Sequence, residues 1–137
     1  NIIDNLSLRV HHDLSPRSTY DDMSETQTIT AAAIAFSTDN ITIGLEKDIM
    51  HNIDNVKDTE QDITSMYGAI KVSKNFTVFA RHDDASQTNQ EGSYSIYGVE
   101  RKMTKGVTIA LNMQTWTDAP EDSEAKNTLF LNLEYKF

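Results

Sequence analysis

The chain contains no cysteine, which removes a disulfide framework, a thiolate metal site and a cysteine nucleophile from consideration. That absence suits passage through an oxidising compartment without fixing one. Clustered basic residues are also missing: 12 Lys and Arg stand against 21 Asp and Glu, a formal charge of −9 with a pI near 4.7. Nucleic-acid binding through phosphate neutralisation is argued against, and acidic partners are disfavoured. No apolar run approaches the roughly 18 residues of a bilayer-crossing helix. Neither an initiating Met nor an apolar leader stands at Asn1, so a mature form or a fragment is expected. There is no low-complexity tract, no internal linker and no sustained 3.6-residue period; "HNIDNVKDTEQDI" (51–63) offers Ile53, Val56 and Ile63, enough for a short helix at most.

What is present is period-two alternation, the mark of strands with two unlike faces. Leu6, Leu8, Val10 and Leu14 alternate with Ser7, Arg9, His11 and Asp13. From about Thr28 to Ser37, Ile34 and Phe36 oppose Ala31, Ala33 and Ala35, and then Ile41, Ile43 and Leu45 oppose Thr42, Gly44 and Glu46. Further segments run about 64–72, 76–82, 93–101, 107–116 and 128–137, eight in all. The sixth reads ambiguously, with Tyr94 and Ile96 on one face and Tyr97 and Val99 on the other. Short turns at 37–40, 73–75 and 103–106 alternate with long polar connections at about 15–27, 47–62, 83–92 and 117–127. This order predicts one all-β domain over 1–137, an antiparallel up-and-down meander with tight turns at one end and loops at the other. Charge follows the ends: Lys71, Lys74, Arg101, Lys102, Lys105 and Lys136 lie near the turns, whereas the loops carry most of the Asp and Glu.

Eight such strands can close a barrel with the apolar face turned either way. Inward gives a soluble lipocalin-like lipid-binding barrel; outward gives a transmembrane barrel, whose strands are apolar only on alternate residues, so that negative mean hydropathy is no objection. The outward solution explains the mixed polar set Arg9, Glu46, Lys71, Arg81, Asn112, Gln114, Glu134 and Lys136 as a lumen. It also explains strands of about nine to eleven residues and the asymmetry between turns and loops.

The ending points the same way. "LFLNLEYKF", with Tyr135 two residues before Phe137, resembles the C-terminal strand of bacterial outer-membrane proteins. "VFARHDD", "YGVERKMTKGVTIALNMQTWTD" and "NTLFLNLEYKF" together resemble the last strands of porin-type barrels over about the final 60 residues. The resemblance implies an outer-membrane location, contact with lipid and lipopolysaccharide, and recognition of the terminal strand by the barrel-assembly machinery. Leu129, Leu131, Leu133, Tyr135 and Phe137 would be the lipid-facing assembly signal. It further implies a passive channel for ions and small hydrophilic solutes, with no enzyme activity and no cofactor. Arg9, Glu46, Lys71, Arg81, Asn112, Gln114 and Glu134 would line that channel, which would prefer cations because its mouth is acidic. A porin monomer of this kind has about sixteen strands, so the eight seen here are either a small closed barrel with a filled interior and a surface-interaction role, or the C-terminal strands of a larger one. A homo-oligomer is open.

Other candidates have plainer accounts. His11 and His12 point to opposite faces and cannot share a metal; His12 would sit on the apolar face near the loop end. "RHDD" (81–84) and "YDD" (20–22) bring a His and several Asp toward one rim, where water activation competes with a simple acidic rim. The acidic loops offer oxygens for Ca²⁺ or Mg²⁺ but lack EF-hand spacing. "NIT" (40–42) and "NFT" (75–77) match a glycosylation pattern, although turn chemistry accounts for both Asn. Trp116, Tyr20, Tyr67, Tyr94, Tyr97 and Tyr135 suggest an aromatic girdle at the membrane borders.

Overall fold

Alternation becomes eight long strands in the computed structural model, which describes residues 3–15, 25–87, 90–104, 106–118 and 124–136. They are β1 Leu6–Ser15, β2 Gln27–Ser37, β3 Ile41–His51, β4 Glu60–Lys71, β5 Phe76–Gln87, β6 Gln90–Thr104, β7 Val107–Asp118 and β8 Lys126–Tyr135. All are antiparallel in one sheet of order β1-β2-β3-β4-β5-β6-β7-β8. Among the described residues β1 pairs only with β2 and β8 only with β7, so the sheet is open and both outer strands present an unpaired edge.

Two expected long connections are corrected. Residues 47–51 and 60–62 extend β3 and β4, leaving a short link whose helical content is a single 3-10 turn, Ile53–Asn55. Asn52, Asp54, Asn55 and Asp58 adopt positive φ there, the region that Asn and Asp tolerate best after Gly. The stretch 83–92 is a β-hairpin arm: Asp83 pairs with Tyr94, Asp84 with Ser93, and Gln87 with Gln90. The short turns fall where expected, and Gly106 supplies φ 83 in the one between β6 and β7. That strand pair also carries a register shift between Lys102 and Thr104.

Direct cross-strand partners share a face, so the register sorts the whole sheet. One face carries the row Leu6, Phe36, Ile43, Gly68, Ala80, Tyr97, Met113 and Leu129. A second row on the same face toward the short turns is Ile41, Ile70, Val78, Val99, Leu111 and Leu131. Toward the other end it turns polar, with Lys47, Thr64, Asp84, Ser93 and Thr117 in one row. The opposite face carries Arg9, Ala33, Glu46, Ser65, Asp83, Tyr94, Trp116 and Lys126 in a single row.

Packing inverts the usual order. No hydrophobic residue is buried among the described residues, whereas Ser65 (0% exposed) and Asn112 (5%) are. Leu8 and Leu131 are 75% and 74% exposed. Along β3, apolar Ile41, Ile43 and Leu45 are exposed while Thr42, Gly44 and Glu46 between them are sheltered. With no second layer on the sheet, such a difference means that it curls toward its polar face. The chain exposes 10213 Å², against about 7,200 Å² for a compact globular chain of the same mass.

The apolar band does not run square to the strands. On β1 its uninterrupted run is Leu6 to Val10, with Leu14 beyond His12; on β8, where Leu129 occupies Leu6's row, it spans Leu129 to Tyr135. Across the sheet its borders therefore shift by about four to six residues, roughly 13–20 Å, over roughly 34 Å of strand spacing, so the band departs from square to the strands by about 20–30°.

Candidate functional site

The sheltered polar face is the candidate site, and the period-two rule builds it. Once Leu131 faces one way, Asn132 and Glu134 must face the other. All seven residues expected to line a lumen, Arg9, Glu46, Lys71, Arg81, Asn112, Gln114 and Glu134, fall on this face. Leu129, Leu131, Leu133 and Tyr135 fall together on the exposed apolar face; Phe137 lies outside the described residues.

Across β4 to β7 the polar face is knitted together. The Arg81 guanidinium donates from Nε to Asp83 Oδ1 at 2.7 Å and from Nη2 to the buried Ser65 hydroxyl at 2.9 Å. The Tyr94 hydroxyl donates to Gln114 Oε1, and Gln114 Nε2 donates to Asn112 Oδ1 at 3.1 Å. Trp116 Nε1 donates to Asp118 Oδ1, while Lys126 Nζ stands 3.3 Å from Asp118 Oδ2. These bonds hold planar and charged groups against the wall.

Three aromatic rings lie over glycines. Tyr67 covers Gly44, Phe79 covers Gly98, and Trp116 rests on Gly92. A methyl group on Gly98 would stand 2.5 Å from the Leu111 carbonyl oxygen, 2.6 Å from Asn112 Cβ and 2.8 Å from Phe79 Cζ. Each glycine therefore makes the notch that lets a ring lie along the sheet instead of across the space in front of it.

On β1 to β3 the same face is sparse. Ala33 of β2 separates Arg9 from Glu46, Ala31 separates His11 from Asp48, and Ala35 lies between Ser7 and Gly44. Arg9 and Glu46 share a row with Ala33 between them, about 10 Å apart at two strand spacings, and neither has an ion-pair partner among the described residues. The buried Asp48 Oδ1 has no hydrogen-bond partner there either. Lys71 Nζ donates to the Asp39 carbonyl in the β2–β3 turn at 2.8 Å, and Lys136 pairs with Glu134 at 3.2 Å.

Several expectations need correction. The "RHDD" group does not converge, because Arg81 and Asp83 face the polar side while His82 and Asp84 face the other, where His82 bonds Ser95 at 2.7 Å and Asp84 at 3.2 Å. Tyr20, Asp21 and Asp22 lie outside the described residues. His11 and His12 do diverge, and His12 meets Thr30 Oγ1 at 2.9 Å on the apolar face. The aromatic girdle breaks up: Tyr97 and Tyr135 share the apolar face, but Tyr67, Tyr94 and Trp116 lie on the polar one. Ser65, Asp83, Tyr94 and Trp116 therefore join the candidate site; Asp83 has the parity of Arg81, Trp116 that of Gln114 and Ser65 that of Lys71, while the ambiguous β6 gave no signal for Tyr94. Among the described residues no group of His, Asp and Glu is placed to hold a metal ion.

Charge remains sorted by end. Lys71, Lys74, Arg101 and Lys102 lie at the short-turn end, with the Arg101 guanidinium 5.1 Å from the centroid of the Phe76 ring. Asp48, Asp54, Asp58, Glu60, Asp62, Asp84, Glu91 and Asp118 lie toward the other. No protein-family model, curated protein or solved structure matches this chain.

Proposed function

We propose that the chain forms the wall of a transmembrane β-barrel of a bacterial outer membrane, a porin-type passive channel for ions and small hydrophilic solutes that prefers cations. The observation that carries this reading is the oblique apolar band on the exposed face behind a sheltered polar one. A flat hydrocarbon slab cut by tilted strands leaves that trace, because the apolar stretch must stop at one height on every strand while the strands themselves lean. A soluble lipid carrier would shelter its apolar residues and expose its polar ones, the reverse of what Leu131 and Ser65 do. The terminal alternation through Tyr135 supports recognition by the barrel-assembly machinery, and the turn and loop ends would face the periplasm and the exterior.

A passage in front of the polar face is supported by the rings laid flat over Gly44, Gly92 and Gly98 and by the alanine strip of β2. A closed barrel of only eight strands is just filled by its side chains, so a passage needs the wall to continue beyond β1 and β8. The unpaired edges of β1 and β8 would be joined by further strand pairing to complete the wall. Cation preference follows from the acidic excess at the loop end, which raises cation concentration at the mouth.

Planar-bilayer recording on refolded protein tests the reading. Stepwise conductance is expected, with a reversal potential in a KCl gradient that reports a cation excess. Electrical silence from a folded sample would sink the channel and leave the filled structural barrel. Conductance with an anion excess would overturn the stated preference.

A further inference from the structure

Tyr94 and Trp116 face each other across β6 and β7 on the polar side, their ring centroids 6.1 Å apart and their planes inclined at 47°. Both are half-buried. Their polar atoms are turned into the wall, the Tyr94 hydroxyl to Gln114 and Trp116 Nε1 to Asp118. The Trp116 ring rests on Gly92, where an added methyl would lie 3.0 Å from Cζ2. What this pair offers a ligand is therefore inclined π surface, since its own donors are already engaged.

The surroundings select among ligands. The nearest charges are paired, Arg81 with Asp83 at 2.7 Å and Lys126 with Asp118 at 3.3 Å, so neither carboxylate presents an unpaired charge beside the rings. Further lone pairs on the Asp83 and Asp118 carboxylates remain within the same wall to meet hydroxyl groups. A neutral ring with a C–H face and peripheral hydroxyls matches both features, because C–H groups pack on aromatic faces while hydroxyls reach the polar margin. We propose that Tyr94 and Trp116 form a stacking station for the pyranose rings of small saccharides. The proposal rests on the polar face being the wall of a passage and gives that passage a solute class.

Trp116 is the chain's one tryptophan, so its emission reports on this station alone. Refolded protein in detergent micelles would be titrated with maltose and with cellobiose, using tetramethylammonium chloride as the cationic comparison. A saturable change in Trp116 emission with at least one disaccharide, absent with tetramethylammonium, is expected. Tyr94→Ala should weaken it about 2- to 10-fold with an unchanged far-UV circular dichroism spectrum, while Tyr94→Phe, which keeps the ring, should stay within about twofold. If Tyr94→Ala does not fold, the wild-type and Tyr94→Phe titrations decide. A flat response to both sugars, or an equal response to tetramethylammonium, overturns the station. Fluorescence needs no conduction: a conducting protein with a flat titration fails here alone, and a silent bilayer fails the channel reading instead.

Discussion

Glycine 98 shows what one residue holds in place. Its missing side chain admits the Phe79 ring from β5 and keeps the Leu111 carbonyl clear, so Gly98→Ala must move backbone or ring, at a cost of about 1–3 kcal/mol. Gly68, on the exposed face, has its nearest atom at 3.5 Å from an added methyl, an ordinary contact, and Gly68→Ala should stay within about 0.5 kcal/mol. Urea midpoints of the two variants in lipid vesicles check the contrast; equal losses would mean that the ring seat contributes nothing. None of this was legible in the string "YGVER". The partner of Gly98 is Phe79, and that pairing exists only once the register of β5 against β6 is fixed. The same holds for Asp83, which looked like loop until its row with Ser65 and Tyr94 was known.

At the level of elements, β8 is the cleanest case. Leu131 and Asn132 are neighbours in sequence on opposite faces, so on the proposed membrane reading Leu131→Arg should cost about 2–4 kcal/mol, while Asn132→Arg on the polar face should be near neutral. Reversible unfolding of both variants from vesicles measures the difference, and similar small effects would remove the membrane from the account. β8 could be read in advance because only its apolar half alternates with polar residues. The outer ends of β5 and β6 could not. Beyond the apolar band both faces are polar, as in Asp83, Asp84, Ser86, Gln87, Glu91 and Ser93, and without an unlike pair of faces the period-two signal vanishes even though the strand continues. Strand existence was therefore legible, and strand length was legible only as far as the apolar band reaches.

The molecule as a whole combines an exposed apolar face with two open edges, each an invitation to association in water. Diluted from detergent into buffer, it should scatter light and sediment, while the same dilution into phospholipid vesicles should leave it dispersed and resistant to high-salt extraction. A dispersed monomer in plain buffer would contradict the outward apolar face. Sequence supplied the strand count, the topology and the charge asymmetry, since these follow from local alternation and turn chemistry. It could not supply the edges, because pairing of β1 or β8 with anything beyond this sheet is a question of curvature and partner, which alternation does not encode. The strand order β1 through β8, each strand bonded only to its neighbours in sequence, also has a kinetic meaning. Every pairing within the sheet closes a short segment of chain, so contact order is low and the hairpins can zip in succession without a slow search for distant partners. Under the proposed completion of the wall, the slow event is left to the two edges, and assembly time would be set by how soon β1 and β8 find strands to cover them.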